Sequence, residues 1–215
     1  MDLKTEFVLV RHGQTYGNIS RTLQGHSNTD LDATGVKQVK LLGRRLKHHP
    51  PFDVIISSDL QRAIDTAKII IESIGGELIS IPELREWNLG LLEGRQWNDL
   101  QQEYPDVMSV FRDGGVDVEV PGGERRSVME KRLADCLDNL AVKYAGQRLL
   151  LVTHGGALRA IFRHLVGLPA AGNVFPQISN ASYSSCFHSN NTWQVTCWND
   201  TAHLNPEMLN ELFTL

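Results

Sequence analysis

Glu6-Phe7-Val8-Leu9-Val10 runs into Arg11-His12-Gly13, and far downstream Leu149-Leu150-Leu151-Val152 runs into Thr153-His154-Gly155-Gly156. Short apolar runs that break into polar residues and glycine read as buried strands ending at a loop. A helical pattern follows each. Val36, Val39, Gly43 and Leu46 predict a helix from about Thr34 to Lys47, and a second helix begins near Gly155. Strands alternating with helices imply an α/β sheet covered on both faces.

Working outward, Asp53-Val54-Ile55-Ile56-Ser57 is a further strand. Ser58 or Asp59 is the expected cap of the next helix, whose apolar face is Ala63, Ala67, Ile70, Ile71 and Ile74. A strand is expected near Glu77 to Ile81, after Gly75-Gly76. The stretch from Pro82 to Glu124 is less regular, with short helical pieces around Trp97–Tyr104 and Asp106–Arg112, and suits a cap over a site. Met129, Leu133, Cys136, Leu137, Leu140 and Tyr144 mark a long amphipathic helix. Two alternating strands, about Ala181–His188 and Thr192–Asn199, form a hairpin turning at Asn190-Asn191.

The chain of 215 residues, 41% hydrophobic, suits one domain spanning 1–215. No apolar run approaches the ~20 residues needed to span a bilayer, and Met1 to Glu6 carry no signal-peptide pattern, so no membrane association and a cytoplasmic location are expected. Cys186 and Cys197 become diagonal neighbours if Asn190-Asn191 is the turn, which disfavours a disulfide. A formal net charge of −4 argues against nucleic-acid binding, yet leaves room for a local cationic pocket and a small anion.

Ligands of open α/β sheets bind at the carboxyl ends of strands. His12 and His154 both stand there, each directly before glycine. Either alone would be read as structural; the matching context makes them a candidate pair. Glycine lets backbone approach a ligand, and the helix starting near Gly155 would aim N–H groups at an anion. Arg11 and Arg62 offer guanidiniums, which match phosphate oxygens in bidentate fashion. Taken singly, Arg62 reads as a solvated helix residue and Glu86 as a surface carboxylate.

Taken in order, the motifs resemble those of the histidine phosphatase superfamily, the phosphoglycerate mutase-like family. They are Arg11-His12-Gly13-Gln14-Thr15 with Asn18; Ser57-Ser58-Asp59-Leu60-Gln61-Arg62-Ala63 with Thr66-Ala67; Leu84-Arg85-Glu86 through Gly90 to Glu93-Gly94; Pro121-Gly122-Gly123-Glu124; and Val152-Thr153-His154-Gly155-Gly156. The resemblance implies a three-layer α/β/α sandwich around a mostly parallel sheet, with a small helical cap insertion at about 87–124. It implies that His12 becomes phosphorylated, that Arg11, Arg62 and His154 bind the phosphoryl oxygens with Asn18 assisting, and that Gln24-Gly25 lies beside the phosphate. Glu86 would protonate the leaving oxygen and then activate water, in a partly desolvated setting. No cofactor and no metal are called for, because two arginines and a histidine can supply the positive charge. Leu92 stands where the family usually carries Trp or Phe.

The expected reaction is hydrolysis of small phosphorylated metabolites. The rival is phosphoglycerate mutation, an isomerase reaction on the same histidine; Gln14-Thr15, where mutases usually carry Glu-Ser, and the C-terminal Asn199-Asp200-Thr201 favour hydrolysis. A binding module that had lost catalysis would lack a core residue, and His12, Arg62, Glu86 and His154 are all present. No Cys-x5-Arg, no Asp-x-Asp directly at the end of the first strand and no Walker loop occur. Trp97 is the best aromatic candidate for the pocket. Arg95, Arg112, Arg125 and Arg126 are candidate contacts for a second anionic group, with surface exposure the expected fate of each. His48-His49 end a helix and His203 reads as structural. A homodimer is left open.

Overall fold

The computed structural model describes residues 3–113, 117–168 and 176–209. Strands β1 (Thr5–Arg11), β2 (Val54–Ser58), β3 (Leu78–Ile81), β4 (Arg148–Thr153), β5 (Tyr183–Ser189) and β6 (Thr192–Asp200) form one sheet in the order β3-β2-β4-β1-β5-β6. The first four strands of that order run parallel; β5 lies antiparallel to β1 and β6 antiparallel to β5. The fold is α/β.

Strand periodicity divides the core into two layers. Val8, Val10, Ile55, Leu150 and Val152 face helices α2 (Ala33–Leu46) and α3 (Gln61–Ile74), where Val39, Leu42, Ala63, Ala67 and Ile70 meet them. Phe7, Leu9, Ile56, Leu149 and Leu151 face the other way, onto Leu133 and Leu137 of α6 (Arg126–Lys143) and Ala157 and Ile161 of α7 (Gly155–Leu165). Alternate residues of a strand point to opposite faces, so continuous apolar runs are what a sheet covered on both sides demands. The central strands are sealed: Leu9, Val10, Leu151 and Val152 are all fully buried.

The expected elements are present with boundaries shifted by a residue or two. Helix α2 begins under Asp32, whose carboxylate accepts from Gly35 N at 2.7 Å. The cap of α3 differs from expectation. Leu60 holds the N-cap position and makes no side-chain cap bond. Ser58 and Asp59 are diverted: Ser58 Oγ faces His154, and Asp59 takes a bidentate bond from Arg85 at 2.6 Å on each arm. The hairpin turns at Asn190 and Asn191, both left-handed with φ of 52° and 54°, as a two-residue turn between twisted strands requires. Cys186 sits opposite Val195, and all three cysteines are free.

The insertion carries the cap helices α4 (Trp97–Glu103) and α5 (Pro105–Asp113), and a short helix α1 (Tyr16–Ile19) follows β1. Leu92 is fully buried in the same cluster as Leu84 and Leu100, so a leucine fills the place of the usual aromatic. Glu124 ties the cap to the rest: its carboxylate accepts from Asn88 N at 3.0 Å and Arg132 at 2.8 Å, and its carbonyl from Trp87 Nε1 at 2.8 Å. No helix among the described residues is long and apolar enough to cross a membrane.

Candidate active site

Strands β1 and β4 are parallel neighbours in a register that pairs Arg11 with Thr153. The next residue on each is a histidine, so His12 and His154 meet at one edge with ring centroids 5.3 Å apart. The backbone reinforces this, His12 N donating to Thr153 O at 3.0 Å.

His12 is buried, and its Nδ1 lies 2.7 Å from the Gly13 carbonyl. A carbonyl only accepts, so Nδ1 carries the proton and Nε2 keeps a lone pair. Burial pushes the His12 pKa well below the usual histidine value, and the Arg62 and Arg11 charges add to the fall. Both effects hold the ring neutral. Gly13 is itself fixed, its N–H donating to Thr66 Oγ1 at 3.1 Å while that hydroxyl donates to Arg62 O at 2.8 Å.

Arg62, 1% exposed, points each arm at a different partner. Nε donates to His154 Nδ1 at 3.1 Å, and the two terminal nitrogens donate to Ser27 O at 2.8 Å and Gly25 O at 2.7 Å. Arg11 donates to Ile178 O at 2.6 Å, while its Nε is buried without a partner among the described residues. Burial lowers both guanidiniums to about 10, with Glu86 pulling each back up. They remain charged at neutral pH.

His154 departs from the expectation of phosphoryl contact. Its Nδ1 accepts from Arg62, so Nε2 carries the proton and faces Ser58 Oγ at 2.8 Å. Both ring nitrogens are engaged, and the ring stands behind Arg62 rather than on the wall of the hollow. Burial, then the charge of Arg62, drives its pKa well below the ordinary value. The neutral ring sets the angle of Arg62.

Glu86 is placed by backbone alone. Its carboxylate accepts from Trp87 N at 3.0 Å, Gly156 N at 2.9 Å and Ala157 N at 2.9 Å. The helix start expected to seat a ligand anion is therefore occupied in large part by the protein's own carboxylate. Gly155 N–H, first of the helix, has no intrahelical acceptor, and Gly155 lines the hollow. Its missing side chain lets Arg11 lie close; a Cβ there would stand 3.3 Å from Cζ of that residue.

The remaining expected residues converge on the same hollow. Asn18 uses Oδ1 for Thr15 N at 3.1 Å, Thr15 Oγ1 at 2.9 Å and Asn180 Nδ2 at 3.2 Å, which leaves its NH2 end for a ligand. Gln24 is held by the hydroxyls of Thr15 and Thr29. Gly25 adopts φ +49°, and its carbonyl receives Arg62. Trp97 lines the hollow, with Phe111 packed edge-on at 5.7 Å.

Of the three described arginines considered for a second anion, Arg126 lines the wall and Arg95 and Arg125 do not. Arg95 pairs with Glu103, and Arg125 is exposed and pairs with Glu119. The Arg112 side chain lies outside the described residues. Three contributors escaped sequence reasoning: Arg159 and Arg163 on α7, and Asn180, whose amide donates to His12 O at 3.1 Å. The spacing of Arg159 and Arg163, four residues apart and four beyond Gly155, was the available signal.

A family model described as the histidine phosphatase superfamily (branch 1) matches residues 7–201. A metal-independent phosphoserine phosphatase of Arabidopsis thaliana is 36% identical over 202 residues, covering 93% of this chain and 83% of that protein. A probable phosphoglycerate mutase GpmB of Yersinia pestis is 35% identical over 209 residues, 95% and 97% of the two chains. The solved structure of Bacillus stearothermophilus YhfR superposes with a TM-score of 0.86 at 25% identity, covering 93% of this chain and 98% of the other.

Proposed function

The chain belongs to the histidine phosphatase superfamily, branch 1, and from that premise we propose that it hydrolyses small phosphate monoesters through a phosphohistidine formed on Nε2 of His12. The observation that carries the reading is the state of His12: one nitrogen tied to the Gly13 carbonyl, the other free, and the ring held neutral between two guanidiniums. A nucleophilic imidazole needs that lone pair.

In the first half-reaction the Nε2 lone pair attacks phosphorus and the ester P–O bond breaks. Glu86, entering with a proton, hands it to the departing alkoxide oxygen. Arg11, Arg62, the Asn18 amide and Gly155 N–H hold the equatorial oxygens, where charge spreads in the transition state. His154 acts on this centre through Arg62. In the second half-reaction water attacks phosphorus, the Glu86 carboxylate takes the water proton and the N–P bond breaks, returning His12 and releasing inorganic phosphate.

The substrate partner in this reading is a small phosphorylated metabolite, and the location is the cytoplasm. The latter is supported by three free cysteines, which suit a reducing compartment. Phosphate release from a panel of small esters tests the reaction. His12→Ala is expected to abolish it, by on the order of 10⁴-fold or more; activity that survives would end the reading. Acid-labile label on the parent after quenching with radiolabelled ester is the expected sign of the intermediate. Interconversion of phosphoglycerates without phosphate release would point to the mutase reaction instead.

A further inference from the structure

The segment just before β5 is bonded directly to the start of the site. Ile178 O accepts from the Arg11 guanidinium at 2.6 Å, and Ser182 O accepts from Arg11 N at 3.2 Å. His12 O takes two donors, Ala181 N at 3.1 Å and Asn180 Nδ2 at 3.1 Å. Residues 179–182 form a tight turn, closed by Ser182 N donating to Ser179 O at 3.1 Å. Ala181 stands in it at φ +53°, a left-handed conformation that alanine adopts only at a cost. Such strain persists where the surroundings over-determine it. Here His203 Nε2 donates to Ala181 O at 3.0 Å, and Asn199 Oδ1 accepts from Ser179 N at 2.6 Å. The C-terminal Asn199–His203 stretch thus braces the turn from behind, and Asp200 anchors that stretch through its bidentate bond to Arg45.

Asn180 is the member of the turn whose side chain reaches into the site's framework. Besides His12 O, its amide meets Asn18 Oδ1 at 3.2 Å. The direction of both carboxamides follows from their partners. Thr15 N can only donate, so the Asn18 atom facing it is the oxygen. His12 O and Asn18 Oδ1 can only accept, so Asn180 turns its NH2 toward both and spends one hydrogen on each. The NH2 of Asn18 is thereby left to the hollow that Asn18 lines. One carboxamide spans the main chain of the nucleophile and the side chain that meets the phosphoryl oxygens.

Resting on the phosphatase reading, we infer that Asn180 is a positioning residue for phosphoryl transfer, locking the Asn18 carboxamide with its donor end forward and in register with His12. An Asn18 free to rotate can present its oxygen to the phosphoryl group, and that orientation repels the charge it is meant to stabilise. Asn180 is not among the residues lining the hollow. It acts through Asn18.

Inorganic phosphate, titrated by calorimetry against the full chain, reads the site without turnover. Asn180→Leu keeps the approximate shape and removes both donors. It is expected to weaken phosphate binding about 10-fold, the scale of one hydrogen bond to a charged group. Asn18→Ala should weaken it at least as much. The double variant should bind within about threefold of Asn18→Ala, because the two residues act on the anion along one path. A turn that only supports the fold would give losses that multiply. Asn180→Ala carries the same expected ordering should the leucine protein not fold. In nitrogen-15 spectra the Asn18 side-chain NH2 pair, assigned by its disappearance in Asn18→Ala, should shift when phosphate is added to the parent and shift far less in the Asn180 variant. Parent-like phosphate affinity in that variant, multiplying losses in the double variant, or equal NH2 shifts in both proteins would overturn the proposal. Absence of His12-dependent phosphate release from any ester, with the affinities ordered as above, defeats the phosphatase reading alone.

Discussion

Arg62 and His154 fix one another: guanidinium Nε donates to imidazole Nδ1 across 3.1 Å, and the other ring nitrogen faces Ser58. The two remaining arms of Arg62 hold the carbonyls of Gly25 and Ser27. One side chain thereby joins α3, the strand-end histidine and the loop after α1.

Arg62→Lys keeps the charge and loses the fork. A lysine ammonium cannot serve three acceptors in one plane. The expected outcome is a fall in kcat/KM of about 10² or more, with loss of roughly 2–4 kcal/mol of stability from buried acceptors left unmet. Phosphate-release kinetics and urea midpoints measure the two. Near-parent values of both would show that the charge alone suffices.

The depressed histidines predict a particular acid sensitivity. His12 and His154 stay neutral in the fold where free imidazoles protonate. Below about pH 6.5 the unfolded chain therefore binds more protons than the folded one, and stability falls as pH drops, by up to about 1.4 kcal/mol per imidazole per pH unit. His203, lowered to about 4 by burial and Arg45, adds to the loss until that pH is reached. Urea midpoints should decline steadily from pH 7 to 5. The neutral His12 nucleophile also survives into acid, so the acid limb of kcat/KM governed by it should lie below pH 6.5; a midpoint indifferent to pH would contradict both statements.

Glu86→Gln keeps an acceptor oxygen for Trp87 N and Ala157 N, sets its amide nitrogen against Gly156 N–H, and removes the transferable proton. The loss in kcat should depend on the leaving group. Alkyl phosphates, whose alkoxides need a proton, are expected to slow by about 10²–10⁴. The first step of p-nitrophenyl phosphate, with its stable phenolate, should slow far less. Equal losses on both would mean that Glu86 does not act on the leaving oxygen.

Gly25→Ala strikes the loop under Arg62. Gly25 adopts φ +49°, and an added Cβ would overlap the Glu93 carboxylate, which itself accepts from His26 N at 2.8 Å and Leu89 N at 3.0 Å. The expected cost is about 2 kcal/mol or more, from backbone strain and displaced hydrogen bonds. Thermal melts check the fold, and kcat/KM should fall with the loss of the carbonyl that steadies Arg62.

What the chain reveals without coordinates follows from how local each signal is. Strands β1 and β4 announce themselves as unbroken apolar runs, and their terminal histidines stand out because both precede glycine. That the two strands are neighbours in a register bringing His12 beside His154 is a long-range fact, legible through the resemblance and not through spacing. The α3 cap was misread for a chemical reason: Ser58 and Asp59 are good cap residues already committed to His154 and Arg85. Arg159 stayed hidden because an arginine inside a helix defaults to solvent. Only the packing of α6 beside α7 turns it inward.

The grip on Glu86 bears on how such a site can change hands between metabolites. Its carboxylate is held by three main-chain amides, which almost any residue except proline supplies; glycine is demanded only at 156, where a Cβ would crowd the acid itself. Mutations across the arginine and tryptophan walls can accumulate without deflecting Glu86. The chemistry can pass unaltered through a lineage while its clientele turns over.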